Sequence, residues 1–148
     1  WLMAFLMSSP GIPCIYYGDE IADVGGNDPD NRRMMRFDGW NDEEKWMHQW
    51  TKNWIALRNS RMSMMYGQTA YSELAPGLLA IHRSYLNENT WVLINTTGQP
   101  YDLSVATGEP LRPLIGALDA DDSGGFAIKP WGAAAFDVRP LVEKSAAN

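Results

Sequence analysis

The hydrophobic pattern of this chain changes period near Gly67, and that switch restricts the fold more than any other feature. Before it, Trp46, Met47, Trp50, Trp54 and Leu57 recur at helical spacing. They fall within a stripe of about 100° at about 3.6 residues per turn, the mark of a helix packed on a sheet. Asn41 or Asp42 can cap that helix, Glu43 and Glu44 suit its positive end, and the pattern runs to about Met62. Arg61 lies on the same stripe, so its stem is expected to be buried and its head at the rim or paired. After Gly67 come short alternating runs: Thr69–Leu74, Leu78–Tyr85, Thr90–Asn95, Tyr101–Val105, Leu111–Leu114, Gly125–Ile128 and Gly132–Val138. Breaks at Ala75-Pro76-Gly77, Asn87-Glu88-Asn89, Thr97-Gly98-Gln99-Pro100 and Asp119 through Gly124 separate them. Strands recurring every 8–12 residues or so indicate an antiparallel sandwich. The expected division is therefore 1–67 and 68–148, with the tail Glu143–Asn148 frayed.

Upstream of the long helix, residues 1–8 read as a helix, apolar nearly all round and stopped by Ser8-Ser9-Pro10-Gly11. Ile12–Tyr17 form a continuous apolar run, the kind of strand expected when both faces are covered. The strand ends at Gly18 and opens into a polar loop over 18–40, rich in Gly, Asp, Asn and Pro. A loop that long is usually functional or disordered. Parallel α/β enzymes place polar groups against ligands at such strand ends. Trp1-Leu2-Met3-Ala4-Phe5-Leu6-Met7 is too short to span a bilayer and lacks the flanks of a signal peptide. With no initiator Met, the expectation is a chain that begins inside a buried helix of a larger protein.

Composition excludes several functions. A net charge of −6 disfavours nucleic acid, which needs a basic stripe. No run of like charge suggests an anionic-membrane anchor. Cys14 is the sole cysteine, so it forms no intramolecular disulfide, and it leaves the compartment open. Seven Trp are many for 148 residues; they serve as core or, in carbohydrate-handling proteins, as stacking surface.

Four pieces of the chain, in order, resemble the α-amylase family (glycoside hydrolase family 13). They are the strand Pro10–Glu20, the loop Gly26-Asn27-Asp28-Pro29-Asp30-Asn31-Arg32-Arg33 with Met34 and Met35, and the helix end Leu57-Arg58 running to Tyr66-Gly67. The last is a β-rich tail holding Trp91–Thr97 and closing with Lys129-Pro130-Trp131-Gly132-Ala133-Ala134-Ala135. The Asp-Pro-Asp-Asn-Arg loop is most similar to neopullulanases, cyclomaltodextrinases, cyclodextrin glycosyltransferases and related bacterial amylases. The resemblance implies an α+β fragment: the last helix–strand–helix of a (β/α)8 barrel, then an all-β antiparallel sandwich. It implies a parent that hydrolyses, or transfers, α-1,4-glucosidic bonds in starch, maltodextrin or cyclodextrin.

Retaining glycosidases need two carboxyl groups about 5–5.5 Å apart across the scissile bond. The family takes these, and a third Asp, from barrel strands that would lie upstream of Trp1, so no residue here is assigned as catalytic. A complete barrel needs about 250 residues, and the chain alone is expected to be inactive. What the resemblance carries over is substrate binding by Asp28 and Arg32. A carboxylate accepts from vicinal hydroxyls and a guanidinium fork donates to sugar oxygens. Arg32 paired with Asp28 or Asp30, merely bracing the loop, is the other reading. Asp19 and Glu20 either line the same cleft or brace it. The implied partners are an α-glucan and the rest of the barrel. Without that barrel, residues 1–17 are expected to fold back on the Trp stripe or to pair between chains.

No metal site or cofactor is assigned. Asp119-Ala120-Asp121-Asp122-Ser123-Gly124 begins like a calcium loop, but the twelfth position is Pro130 rather than Glu. A looser calcium site there or at Asp28–Asn31 stays open, as does calcium in the parent enzyme. His48 and His82 with one Cys make no zinc set. Ser8 and Ser9 lack a nucleophile elbow, and acidic residues after Gly25-Gly26 would repel phosphate. Two other classes of function remain: a carbohydrate-binding module using Trp91 and Trp131, and a purely structural sandwich.

Overall fold

The computed structural model of the chain describes residues 1–103, 111–120 and 125–138. Three helices precede the sheets: α1 (Leu2–Ser8), α2 (Asp42–Ser60) and α3 (Met62–Tyr66). Strands β1 (Gln68–Ala75), β2 (Leu78–Tyr85), β3 (Glu88–Asn95), β8 (Ala133–Asp137) and β5 (Arg112–Gly116) form a five-stranded antiparallel sheet in that order. A second antiparallel sheet runs β4 (Tyr101–Asp102), β7 (Phe126–Ile128), β6 (Leu118–Ala120). Among the described residues, no helix is long and apolar enough to cross a membrane.

The five-stranded sheet is the middle layer, because β2, β3 and β8 are apolar on both faces. Ile81, Val92, Ile94, Ala133 and Ala135 point one way, into a core shared with Met3, Ala4 and Met7 of α1, Trp54 and Leu57 of α2, and Met64 of α3. Leu78, Ala80, Leu93, Ala134 and Phe136 point the other way, against Leu103 and Ile128 of the small sheet. The period of two along each strand sorts the side chains between these layers. Each such buried aliphatic side chain contributes about 1.5–3 kcal/mol relative to exposure.

The long helix starts where its sequence says. Asn41 accepts from the Glu44 amide at 2.9 Å while Glu44 accepts from the Asn41 amide at 2.8 Å, a reciprocal capping box. It ends earlier than expected: Arg61 is extended (φ −127°, ψ 123°), which breaks the expected run to Met62 into α2 and α3. The break sends the Arg61 head into the sheet rather than along the helix. It donates to Thr90 Oγ1 at 2.6 Å and to the Asn89 carbonyl at 3.1 Å, and pairs with Asp137 at 2.6 Å. The stripe itself is buried only in part: Trp54 and Leu57 are core, whereas Trp46 is exposed and stacks on Trp50 at 5.5 Å.

Two further arginines fasten the end of α1, Arg58 to α2 and Arg83 to the sheet. Arg58 donates to the carbonyls of Met7 (2.5 Å), Ser9 (3.0 Å) and Gly11 (2.7 Å). Arg83, on the helix-facing side of β2, donates to those of Ser8 (3.0 Å), Met64 (2.9 Å) and Ser63 (3.1 Å). Neither has an ion-pair partner among the described residues. The orphan carbonyls at a helix C-terminus carry partial negative charge and take the place of carboxylates. Burial lowers both guanidinium pKa values, and for Arg83 the charge of Arg58 adds to the lowering.

Two expectations are corrected. Ile12–Tyr17 is extended but is not a strand, and it pairs with no ladder. A doubly covered strand needs neighbours on both edges to satisfy its amides, and the described residues offer none, so Ile12 is 97% exposed and Cys14 is exposed as well. Residues 118–120, taken partly as a break, form β6, because they pair with Phe126–Ile128 of β7 while Ala117 before them is held by Ala133 of β8 and by Lys129. The expected strands Thr69–Leu74, Leu78–Tyr85 and Thr90–Asn95 lie inside β1, β2 and β3. Residues 104–105, expected in a strand, and Glu143–Asn148, expected to fray, lie outside the described residues.

Candidate functional site

The loop after α1 is shaped by glycines and carboxylates. Gly18 turns at φ 95°, and a Cβ there would come within 3.1 Å of the Asp23 side chain. At Gly25 an added Cβ would lie 2.8 Å from the Asn31 backbone, so only glycine permits the loop to close on itself. Short 3-10 turns at Asp19–Ile21 and Asp30–Arg32 divide the loop. The carboxylate of Asp30 accepts from the Gly26 amide at 2.8 Å and from Arg33 at 2.7 Å. Those contacts, the Gly26 amide foremost, hold its pKa below the ordinary carboxylate value, so Asp30 is an acceptor and not an acid. Arg36 pairs with Glu44 and, at 3.4 Å, with Asp23, tying the loop to the start of α2.

The sequence-derived pair Asp28 and Arg32 is brought together. Arg32 Nε donates to Asp28 Oδ1 at 3.2 Å and Nη2 meets Oδ2 at 2.7 Å, a forked contact with both side chains nearly two-thirds exposed. An exposed pair of this kind contributes little to stability, about 0.2–1 kcal/mol. A cleft of about 180 Å3 opens nearby in the same loop, lined by Tyr16, Tyr17, Asp19, Asp23, Asp30 and Arg33 with Val24, Gly25 and Asn31; neither Asp28 nor Arg32 lines it. Tyr16 and Tyr17 face each other at 4.6 Å, and the Tyr17 phenol pKa is raised, chiefly by its hydrogen bond with Tyr16, with the Arg32 charge opposing. Asp19 lines the cleft. Glu20 instead accepts from the Gly18 amide at 2.8 Å and braces its own turn.

The site thus offers aromatic faces, ionised acceptors and guanidinium donors around a solvent-filled opening. That set binds polyhydroxylated molecules by hydrogen bonding. Among the described residues no group of three or more His, Cys, Asp or Glu converges as a metal would require. Asp121 and Asp122, part of the calcium-like run, lie outside the described residues. His48 packs on Trp40 at 4.7 Å, and His82 stacks on Trp91 at 4.7 Å while bonding Asn89 at 3.0 Å. Trp91 is half-buried at the sandwich core, whereas Trp131 is 56% exposed. The residues the sequence did not single out are Tyr16, Tyr17, Asp23 and Arg33. The Tyr pair was concealed by its place in an apolar run that reads as core.

An α+β chain with a glycine-framed acidic loop ahead of a two-sheet sandwich defines a class met in carbohydrate-active enzymes, and comparison gives the family. No family model matches the chain. It is 34% identical over 124 residues to a cyclomaltodextrinase of Geobacillus thermopakistaniensis, covering 81% of this chain and 21% of that protein. It is 30% identical over 134 residues to an amylopullulanase of Thermoanaerobacter thermohydrosulfuricus, covering 83% of this chain and 9% of that one. Among solved structures, an Anoxybacillus α-amylase superposes over 93% of this chain and 31% of its own, with a TM-score of 0.73 and 31% identity. The chain belongs to the α-amylase family, glycoside hydrolase family 13, of whose members it matches a part. It spans about a fifth of the cyclomaltodextrinase's length and about a tenth of the amylopullulanase's.

Proposed function

We propose that this chain is the C-terminal part of a retaining α-glucan-active glycosidase cleaving α-1,4-glucosidic bonds. Residues 1–67 supply the last helix–strand–helix of a (β/α)8 barrel, and residues 68–148 the sandwich packed on it. Asp28 and Arg32 hold a glucosyl unit beside the scissile bond, and the catalytic carboxylates belong to earlier barrel strands. By itself the 148-residue chain has no turnover. The observation that carries this reading is the forked, exposed Asp28–Arg32 contact, in a loop whose neighbouring Asp30, Asn31 and Arg33 line a polar cleft with Tyr16 and Tyr17. A pair that contributes so little to folding is available to exchange its partner for sugar hydroxyls.

The bare apolar side chains of the same region support it. Ile12 is 97% exposed, Met34 90% and Phe37 82%, as expected of a strand and loop whose barrel neighbours lie on the missing part. Within residues 1–17, α1 folds back on Trp54 and Leu57, which leaves association of isolated chains to the uncovered run Ile12–Tyr17. The test is Arg32→Ala and Asp28→Ala in the enzyme expressed with its upstream reading frame. A lost charged hydrogen bond raises KM for maltodextrin roughly ten- to a hundredfold. Unchanged KM and kcat would reduce both residues to loop braces. Release of glucose or maltose from maltoheptaose by the purified 148-residue chain would contradict the assignment of the carboxylates elsewhere.

A further inference from the structure

We propose that Trp131 is a stacking platform for a glucopyranose ring, giving the sandwich an α-glucan contact of its own. The inference rests on the family reading for the choice of ligand and on the turn at residues 129–132 for the site. Trp131 is 56% exposed and sits at φ 54°, a left-handed conformation that a Trp adopts only under constraint. Holding a side chain there costs on the order of 1–3 kcal/mol, and such strain persists only where surrounding bonds over-determine it. Glycine or asparagine would sit at this φ more easily, so the left-handed turn itself does not call for an indole that is left more than half exposed.

The constraint is one buried amide. Asn95, with no exposed surface, donates to the carbonyls of Gln99 (2.7 Å), Ile128 (3.2 Å) and Lys129 (3.1 Å). Its oxygen accepts from the Thr97 amide at 2.9 Å and the Thr97 hydroxyl at 2.8 Å. The Trp131 amide donates to Thr97 O at 3.0 Å, the Gly132 amide to Lys129 O at 2.9 Å, and the Asn95 amide to Gly132 O at 2.9 Å. Two loops, 96–99 and 128–132, are therefore locked to each other beneath an exposed ring. A fully satisfied buried polar group rigidifies what it joins, which is the pre-organisation a binding surface needs.

The chemistry around the ring selects the ligand. The indole N–H has no protein acceptor among the described residues, and beside it lies Gly98, where even an added Cβ would be 3.7 Å away. Gln99 is exposed next to Gly98, and Lys129 pairs with Asp119 at 3.2 Å on the same turn, which cancels any pull on an anion. A flat apolar face with hydrogen-bonding groups at its margin fits a pyranose, whose C–H face is apolar and whose rim is hydroxyl. Trp91 does not share the role, because it is half-buried under His82.

The experiment is native affinity electrophoresis of the 148-residue chain through gels containing amylopectin, with dextran gels as control. The wild-type chain is expected to be retarded by amylopectin only. Trp131→Ala should weaken that retardation about tenfold or more, the scale of losing an aromatic contact and its buried area. Trp131→Phe should retain part of it, and Trp46→Ala, at an exposed Trp on α2, should retain all of it. Circular dichroism and melting of each variant certify the fold. No retardation of the wild-type chain, or equal retardation of Trp131→Ala, overturns the platform. Hydrolysis by the longer enzyme is read separately: turnover there without retardation here removes the platform and leaves the family reading standing.

Discussion

Replacing Arg83 by Met tests whether helix carbonyls, rather than acids, neutralise the buried guanidinium. Arg83 is 1% exposed, and its stem runs between Ile81 and the α3 turn on the helix-facing side of β2. Methionine keeps most of that apolar volume and removes three hydrogen bonds. The Ser63 carbonyl still accepts from the Gly67 amide at 3.0 Å, so two acceptors, on Ser8 and Met64, lose a donor. An unsatisfied buried carbonyl costs about 1–3 kcal/mol, which gives about 2–6 kcal/mol for the pair. Relief of the cation's own burial and of repulsion from Arg58 offsets part of this. The net destabilisation is expected near 3 kcal/mol by urea unfolding at unchanged m. Arg58→Met should cost less, about 1–2 kcal/mol, because its contacts with Ser9 and Gly11 are only part-buried and water can replace it there. A loss below about 1 kcal/mol for Arg83→Met, or a larger loss for Arg58→Met, would refute the assignment of the carbonyls as its counter-charge.

Two more variants probe packing and charge. Trp54 is fully buried and its indole N–H has no partner among the described residues, so Trp54→Ala should cost about 3–5 kcal/mol while Trp54→Phe costs under about 1.5 kcal/mol. Equal losses for the two in urea unfolding would show that the orphan donor carries no penalty. Glu44 has its pKa lowered from 4.5 by Arg36 first and the Asn41 amide second. Its stabilising contribution is therefore complete above about pH 4.5 and disappears as pH falls through the lower folded value. Thermal melts between pH 6 and pH 3 should show a smaller acid-side loss for Glu44→Gln than for wild type; parallel curves would remove Glu44 from the acid response.

Much of this fold is legible residue by residue. The turn at Pro76-Gly77, the strands Leu78–Tyr85 and Thr90–Asn95 and the Asn41 cap all follow from turn chemistry and period, which are local properties, whereas β3 begins at Glu88 inside an expected break. Ile12–Tyr17 was misread for a physical reason: apolarity reports what a segment is built to be covered by, not what is present to cover it. Arg83 could not be anticipated on a core face, since its counter-charge is the end of a helix some 75 positions away. At the candidate site, Asp28 and Arg32 came from the resemblance of their loop to the family and not from spacing, and their mutual fork is the alternative the sequence left open beside sugar contact. The cleft wall depends on how the 18–33 loop folds over Tyr16 and Tyr17, which no spacing rule specifies.

The molecule is joined by two kinds of fastening with different chemistry. Where α1 meets the sheet, guanidinium groups grip peptide oxygens, and neither partner changes protonation in ordinary buffers. Around residues 23–44 the grip is carboxylate on guanidinium, and one half of it titrates. Because the Asp30 and Glu44 carboxylates are held below their ordinary values, only acid below the usual carboxylate range should loosen the 23–44 loop, while the carbonyl-gripping guanidinium contacts of α1 persist.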